Sequence, residues 1–188
     1  PQYQTYIDWL SKHDQIKAKE YWKNKLSGFT EPTPLGMECS EVQPETGYGE
    51  QISYIPKDLT TSIQSFARKN KLTPNTLFQA AWAMLLSCYS GEDDVVFGVT
   101  SSGRPTDLQY AEKTVGMFIN TLPARIKLSQ DTKVVDWLRE LQQQQIEALQ
   151  FEYSSLVDIQ GWGDLLPGQP LFKSLFVYEN YPIEKYSM

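Results

Sequence analysis

The chain has 188 residues, of which 40% are hydrophobic and 13% are aromatic, and its formal net charge is −6. This apolar content is sufficient for one compact domain, or for one lobe with a core of its own. The negative charge and the lack of clustered Lys and Arg residues argue against nucleic acid as a partner, and no apolar run approaches the roughly 20 residues that span a bilayer. Cys39 and Cys88 lie in unlike contexts, so we expect no disulfide framework, no metal site and a cytoplasmic location.

The N-terminal quarter of the chain divides into a helical part and an irregular part. Asp14 is placed to cap a helix that runs to about Leu26, and a glycine follows just beyond it. The next residues are rich in proline, glycine and glutamate and show no periodicity. We therefore expect a helical lead-in over residues 1–28, an exposed acidic connection over 29–49, and the body of the lobe over 50–188.

The following segment predicts a strand and two helices. Gln51 to Ile55 has the composition of a strand, and apolar residues then recur at helical spacing as far as Ala67. Thr73 is a suitable cap and Pro74 a suitable first residue for the next helix, which runs to Tyr89. Apolar side chains cover most of the circumference of that helix, so we expect it to be nearly all buried.

Two apolar segments, separated by a loop that contains glycine and proline, come next. Val95 to Val99 predicts a strand that is covered on both faces. Gly103 permits backbone angles closed to other residues, and Pro105 restricts Arg104 to extended conformations. The Arg104 side chain is thus expected on a stiff loop, before a second, buried strand.

The last part of the chain predicts one more helix and one more strand. Asp131 or Thr132 is placed to cap a helix to about Gln150, with the run of glutamines over 142–145 on its solvated face. An apolar strand over 174–179 follows a segment rich in turn residues. The order of elements predicts an α/β fold in which a helix layer covers a mixed sheet.

Several of these segments resemble the condensation domains of nonribosomal peptide synthetases. Residues 101–105 resemble the S/T-G-R-P loop of that family, and Val115 to Arg125 resembles its I/V-G-x-F-V/I-N-T-x-x-x-R element. Tyr3 to Leu10 is similar to a Y-x-x-Y-x-x-W element, and Tyr21 to Gly28 to a YW-x-x-x-L-x-G element. Further matches, at 151–154 and 169–180, follow in the family's order.

The resemblance implies one lobe of a chloramphenicol acetyltransferase-like fold. The family's H-H-x-x-x-D-G signature lies upstream of the Y-x-x-Y-x-x-W element, and this sequence contains a single histidine, His13. We therefore expect the C-terminal lobe, which has no catalytic residue and is inactive in isolation. The implied partners are the N-terminal lobe and the donor and acceptor carrier proteins. The phosphopantetheine arms of those carriers would supply the only cofactor, and an apolar seam is expected toward the other lobe.

The resemblance also implies which residues line the substrate tunnel between the lobes. These are Asn120, Arg104, Ser102 and Gly103. Two of them have structural alternatives: Asn120 can bond neighbouring backbone, and Arg104 can form a surface salt bridge with Asp93, Asp94 or Asp107. Arg125 is expected to be structural.

His13 is expected to be a solvated surface residue without a role.

Two other classes of function remain open from the sequence. One is a non-catalytic module that docks carrier proteins through the acidic connection or the 142–145 face. The other is an autonomous hydrolase or transferase, which is disfavoured because no G-x-S-x-G element occurs and Ser101 and Ser102 have no second histidine available.

Overall fold

The computed structural model describes residues 2–36, 48–105, 107–129, 131–166 and 168–179. Within them the helices are α1 Gln4–Leu10, α2 Gln15–Leu26, α3 Lys57–Asn70, α4 Pro74–Ser90, α5 Val134–Leu149 and α6 Leu156–Trp162. The strands are β1 Asp94–Ser101, β2 Asn120–Lys127 and β3 Leu175–Phe176, and a 3-10 turn spans Ala111–Lys113. No helix in these ranges is long and apolar enough to cross a bilayer.

The strands form one mixed sheet in the order β2-β1-β3. β1 and β2 are antiparallel, with Asp94 opposite Lys127 at one end and Ser101 opposite Asn120 at the other. β1 and β3 are parallel through Gly98 and its neighbour. The predicted α/β fold with a mixed sheet is confirmed, although β3 is shorter than the predicted 174–179.

Helices cover both faces of the sheet, which explains the continuous apolar run in β1. Val95 and Phe97 belong to a core cluster with residues of α3, α4 and α5, whereas Val96 belongs to a second cluster with Trp22 of α2 and Ile159 of α6. All five of these side chains are essentially inaccessible to solvent. Successive strand residues point to opposite faces, so a strand that is buried on both faces needs apolar residues at every position.

Two of the predicted helix starts are confirmed. The Asp14 carboxylate accepts hydrogen bonds from the backbone N–H groups of Ile16 and Lys17 at 3.0 and 3.2 Å. The Thr73 hydroxyl accepts one from the Thr76 N–H at 3.1 Å, with a proline in the first turn of α4. The predicted cap of α5 was wrong, because the N-cap residue is Lys133 and its side chain forms no capping bond.

The prediction of a strand at 51–55 was wrong. These residues join no strand in the part of the chain that the structure describes, and they are exposed. The prediction that α4 is nearly all buried was also wrong. Met84, Leu85 and Tyr89 are exposed on the side of α4 that faces away from the sheet, because one helix face is enough to complete this layer.

The glutamines of α5 are not the solvated face that the sequence predicted. Gln142 accepts a hydrogen bond from the Thr73 N–H at 2.8 Å and donates one to the Lys71 carbonyl at 2.9 Å. Gln144 and Gln145 accept hydrogen bonds from side chains of α2 and α4. These side chains therefore join α5 to its neighbours.

The beginning of the predicted exposed connection is packed against the sheet. Phe29 and Thr33 are buried, and the Thr33 hydroxyl accepts a hydrogen bond from the Val96 N–H at 2.8 Å. Residues 37–47 of that connection lie outside the described residues.

Candidate functional site

The loop that joins β1 to β2 folds back on itself at Gly103. This residue has a φ of +60°, and a Cβ added to it would overlap the backbone carbonyl of Phe118. Glycine is required here for two reasons, the left-handed backbone and the close approach of the returning chain. Gly103 thus fixes the distance between the two sides of the loop.

Arg104 holds the same loop from inside. Its Nη1 donates hydrogen bonds to the carbonyls of Ala111 and Thr114, the second at 3.0 Å. The guanidinium lies over the ring of Phe118, with 4.3 Å between Cζ and the ring centroid. Among the described residues Arg104 forms no ion pair, so the proposed salt bridge to a nearby aspartate is not part of the structure.

Ser102 is exposed and lines two cavities. One cavity, of about 470 Å³, is formed by the loop itself and is lined by residues from Ser102 to Lys113. The other, of about 260 Å³, lies along β2. Of the four predicted tunnel residues, Ser102 has the side chain that is most accessible to a ligand.

Asn120, at the start of β2, uses its amide to bind backbone. Its Nδ2 donates to the carbonyls of Glu152 and Ser154 at 2.7 and 2.8 Å, and its Oδ1 accepts from the Thr121 N–H at 2.8 Å. Both donor hydrogens are occupied in this way. The structure therefore gives Asn120 the backbone-binding role that the sequence left as an alternative, and it fastens the segment after α5 to the sheet.

The segment after α5 is attached to the sheet and α2 by two further bonds. The hydroxyl of Ser101, the last residue of β1, donates to the Glu152 carboxylate and accepts from the Gly103 N–H at 3.3 Å. The buried Ser154 hydroxyl accepts from Trp22 Nε1 at 3.1 Å. Sequence reasoning assigned no role to Glu152 or Ser154, although both lie in a segment that matches the family.

The aromatic residues of α1 pack on the returning side of the loop. The Tyr3 hydroxyl donates to the Met117 carbonyl at 2.6 Å, and the Tyr6 ring lies 4.5 Å from that of Phe118 between centroids. Burial, with further contributions from nearby Tyr3 and Glu152, raises the pKa of the Tyr6 hydroxyl. The spacing of three residues places these side chains on one face of the short helix, which explains the Y-x-x-Y-x-x-W pattern structurally.

His13 is half-buried rather than solvated, so that expectation was wrong. Its ring centroid lies 3.6 Å from that of Trp9 and 4.5 Å from that of Tyr153, with the rings tilted by 44° and 56°, and Nδ1 lies 2.9 Å from the Trp9 carbonyl. No side chain in the described ranges forms a hydrogen bond with the imidazole. The structure thus gives His13 a packing role.

Arg125 is structural, as predicted. Its guanidinium forms two hydrogen bonds with the carboxylate of Asp94, Nε to Oδ1 at 2.9 Å and Nη2 to Oδ2 at 2.7 Å. Nη1 donates to the carbonyls of Lys25 and Ser27 at 3.2 and 2.6 Å. This group joins the end of α2 to strands β1 and β2.

An exposed apolar row lies beside the loop. Val115, Met117 and Ile119 are 91%, 81% and 68% exposed, whereas the alternating Phe118 is buried. The predicted buried strand therefore begins only at Asn120, and the residues before it present one apolar edge to solvent. In the described parts of the chain no group of three His, Cys, Asp or Glu side chains is arranged to hold a metal ion.

Comparison with known proteins identifies the family of this chain. The condensation domain family matches residues 1–188. The chain is 49% identical over 181 residues to one of the linear gramicidin synthase proteins of Brevibacillus parabrevis, covering 95% of this chain and 2% of that protein. It is 36% identical over 183 residues to surfactin synthase subunit 2 of Bacillus subtilis (strain 168), covering 97% and 5% respectively.

A solved structure supports the fold independently. The first condensation domain of the calcium-dependent antibiotic synthetase, in complex with a substrate analogue, superposes with a TM-score of 0.66 at 18% identity. The match covers 89% of this chain and 36% of the other. This chain therefore spans only a small part of its curated relatives and about a third of that structure, and it belongs to the condensation domain family as part of such a domain.

Proposed function

We propose that this chain is the C-terminal lobe of a condensation domain that forms amide bonds between carrier-bound aminoacyl and peptidyl thioesters. In this proposal the chain forms one side of the substrate tunnel and binds the other lobe. The observation that supports this best is the exposed row of Val115, Met117 and Ile119, which lies next to a rigidly fastened loop. An apolar edge on such a loop suits contact with a partner surface.

The reaction assigned to the intact domain is aminolysis of a thioester. The acceptor amine attacks the donor carbonyl, so that a C–N bond forms and the C–S bond breaks. The proton lost by the amine and the released thiolate together give the free thiol of the donor carrier. In this proposal the chain supplies shape and backbone positioning for that step.

The fastened loop is the part of this chain that we assign to the tunnel wall. Gly103 and Arg104 set its path, and Ser102 presents a hydroxyl at the mouth of the loop cavity. Asn120 anchors the returning strand to the segment around Glu152. In this account Ser102 contacts substrate, while Arg104 and Asn120 act as positioning residues.

The alternative of a carrier-docking module is less well supported. Its proposed docking face included the glutamines at 142–145, and three of these four side chains are committed to contacts with α2, α4 or the chain between α3 and α4. A face that is occupied in this way has fewer free polar groups to offer a partner.

The role of the loop is tested in the intact synthetase. We expect Ser102→Ala to change the KM for the acceptor substrate with little change in the melting temperature. The matched control is Ser129→Ala, an exposed serine that follows β2. An unchanged KM and kcat for Ser102→Ala would contradict placement of this loop in the tunnel.

A further inference from the structure

A second cavity lies between α2, α4, α5 and the strands β1 and β2, and it reaches Ser102 at the start of the loop. Its volume is about 260 Å³, which at ~30 Å³ per liquid water is enough for a small organic molecule. Most of its wall is apolar, and the apolar residues come mainly from β1, β2 and α5. The apolar side chains include Val99, Leu122, Ala124, Ile126, Leu141 and Ala148.

Two amide groups in this wall are incompletely hydrogen-bonded. Gln79 is 2% exposed, and its Nε2 donates to Asn75 at 3.3 Å, but its buried Oε1 has no partner among the described residues. Gln145 accepts from the Thr76 hydroxyl at 2.8 Å, whereas its buried Nε2 has no partner in the same ranges. Buried polar groups are nearly always paired, because an unpaired one lowers stability. Both side chains line the same cavity, and together they carry one acceptor and one donor without a partner among the described residues.

The charges around the cavity exclude some classes of ligand. Lys25 and Arg125 are the charged residues in its wall, and no carboxylate lines it within the described ranges. Arg125 is paired with Asp94, and Lys25 donates to Gln144. A cation would be repelled by this wall. A carboxylate would be attracted by Lys25 but has no hydrogen to donate to the free acceptor of Gln79, whereas a neutral amide can pair with both free groups.

We propose that this cavity binds a small neutral primary amide. The amide N–H would donate to Gln79 Oε1, and the amide carbonyl would accept from Gln145 Nε2. Its alkyl part would pack against the apolar wall. Binding is non-covalent. The cavity shares Ser102 with the proposed tunnel wall, but the amide contacts are assigned to Gln79 and Gln145, so the inference holds whether or not the proposed function is correct.

The proposal is tested by NMR titration of the chain with butyramide, while the methyl groups of Val99, Leu122 and Ile126 are observed. Butyrate and butylammonium serve as probes of equal length and opposite charge. We expect saturable shifts with butyramide in the millimolar range, and binding at least about tenfold weaker for both ions. Equal or tighter binding of butyrate would show that Lys25 is the anchor and would overturn the proposal. The absence of saturable shifts with butyramide would overturn it as well.

Substitution of the free acceptor provides the second arm. Gln79→Met keeps the length of the side chain, so we expect it to abolish butyramide binding and to keep or raise the melting temperature, because an unpaired buried oxygen is removed. Gln143→Met, an exposed position on α5, should change neither property. If Gln79→Met does not fold, Gln145→Met is measured in the same way. Butyramide binding that persists in the folded variant would contradict the assignment.

Discussion

At the scale of single residues, Gly103 combines two constraints that can be separated experimentally. Gly28 has a similar positive φ of +73°, but a Cβ added there would meet no atom within 4 Å. The left-handed conformation alone costs a non-glycine residue about 1–2 kcal/mol. Comparison of these two glycines therefore isolates the cost of the contact with Phe118.

We predict that Gly28→Ala lowers the free energy of unfolding by about 1 kcal/mol and that Gly103→Ala lowers it by at least about 2 kcal/mol more. The additional loss arises because the backbone carbonyl of Phe118 must move. Urea denaturation of the two variants measures the difference. Equal losses would show that the loop accommodates a methyl group and does not depend on this close approach.

Asn120 connects β2 to the segment after α5. We predict that Asn120→Ala lowers the free energy of unfolding by about 2 kcal/mol, because the carbonyls of Glu152 and Ser154 lose their donor. Asn24→Ala, at an exposed position in α2, should change it by less than about 0.5 kcal/mol. In the intact domain we also expect Asn120→Ala to lower turnover. Full turnover by a folded Asn120→Ala domain would restrict this residue to stability.

Tyr21 makes a pH-dependent contribution to stability. Burial, with a smaller contribution from nearby Glu147, raises its pKa from 10.0 to about 12, and its buried hydroxyl has no partner in the described ranges. The unfolded chain ionises at lower pH than the folded one, so this contribution is intact below the unfolded pKa and is lost as pH rises through the folded pKa.

We predict that Tyr21→Phe is relatively more stable than the wild type at high pH. The stability difference between the two proteins should shift by at most about 1.4 kcal/mol in favour of Phe between neutral pH and about pH 11. Urea denaturation across that range measures it, and the difference cancels the contributions of the other tyrosines. A pH-independent difference would contradict the burial of this hydroxyl.

At the scale of elements, Gln142 stabilises the start of α4. It binds the Thr73 N–H and the Lys71 carbonyl on the turn between α3 and α4. We predict that Gln142→Ala lowers the free energy of unfolding by about 1–2 kcal/mol. Among the described residues its neighbour Gln143 bonds Glu147 of its own helix and no other side chain, so Gln143→Ala should cost less than about 0.5 kcal/mol. Equal effects of these variants in thermal unfolding would support the solvated face that the sequence predicted.

The elements that were predicted correctly are those with local signals. The cap at Asp14, the Thr73-Pro74 start of α4 and the apolar run of β1 each depend on residues adjacent in sequence. The errors concern contacts between distant segments. Glutamine is polar and is therefore expected at the surface, but Gln142 and Gln144 of α5 form hydrogen bonds with residues about 70 to 120 positions away in the chain. Apolar residues at 51–55 satisfy a strand pattern without a neighbouring strand to bond in the described ranges.

In the candidate site, too, the sequence predicted local features but not the contacts between distant segments. The family resemblance was sufficient to identify the loop at Ser102 and Arg104 and the strand at Asn120. It did not show that Arg104 binds loop carbonyls, or that Asn120 reaches the carbonyl of Glu152, 32 positions further along the chain. Such backbone contacts leave no pattern in a single sequence, because the acceptor is common to all residues.

At the scale of the whole molecule, the matched segments converge on one place. Tyr6 of α1, the loop residue Phe118 and the segment at Glu152 are linked by ring contacts and by hydrogen bonds through Asn120. Beside this cluster the apolar row at Val115, Met117 and Ile119 is exposed. Ring contacts and hydrogen bonds thus hold α1, the loop and the segment at Glu152 together. The exposed apolar row lies where we propose contact with the other lobe.

The central claim is that this chain shapes the tunnel but does not by itself form amide bonds. The most direct measurement is amide product formed from loaded donor and acceptor carrier proteins, with the chain alone and with the lobe that bears H-H-x-x-x-D-G added. We predict no product from the chain alone and product from the combined lobes. Turnover by the chain alone would contradict the account.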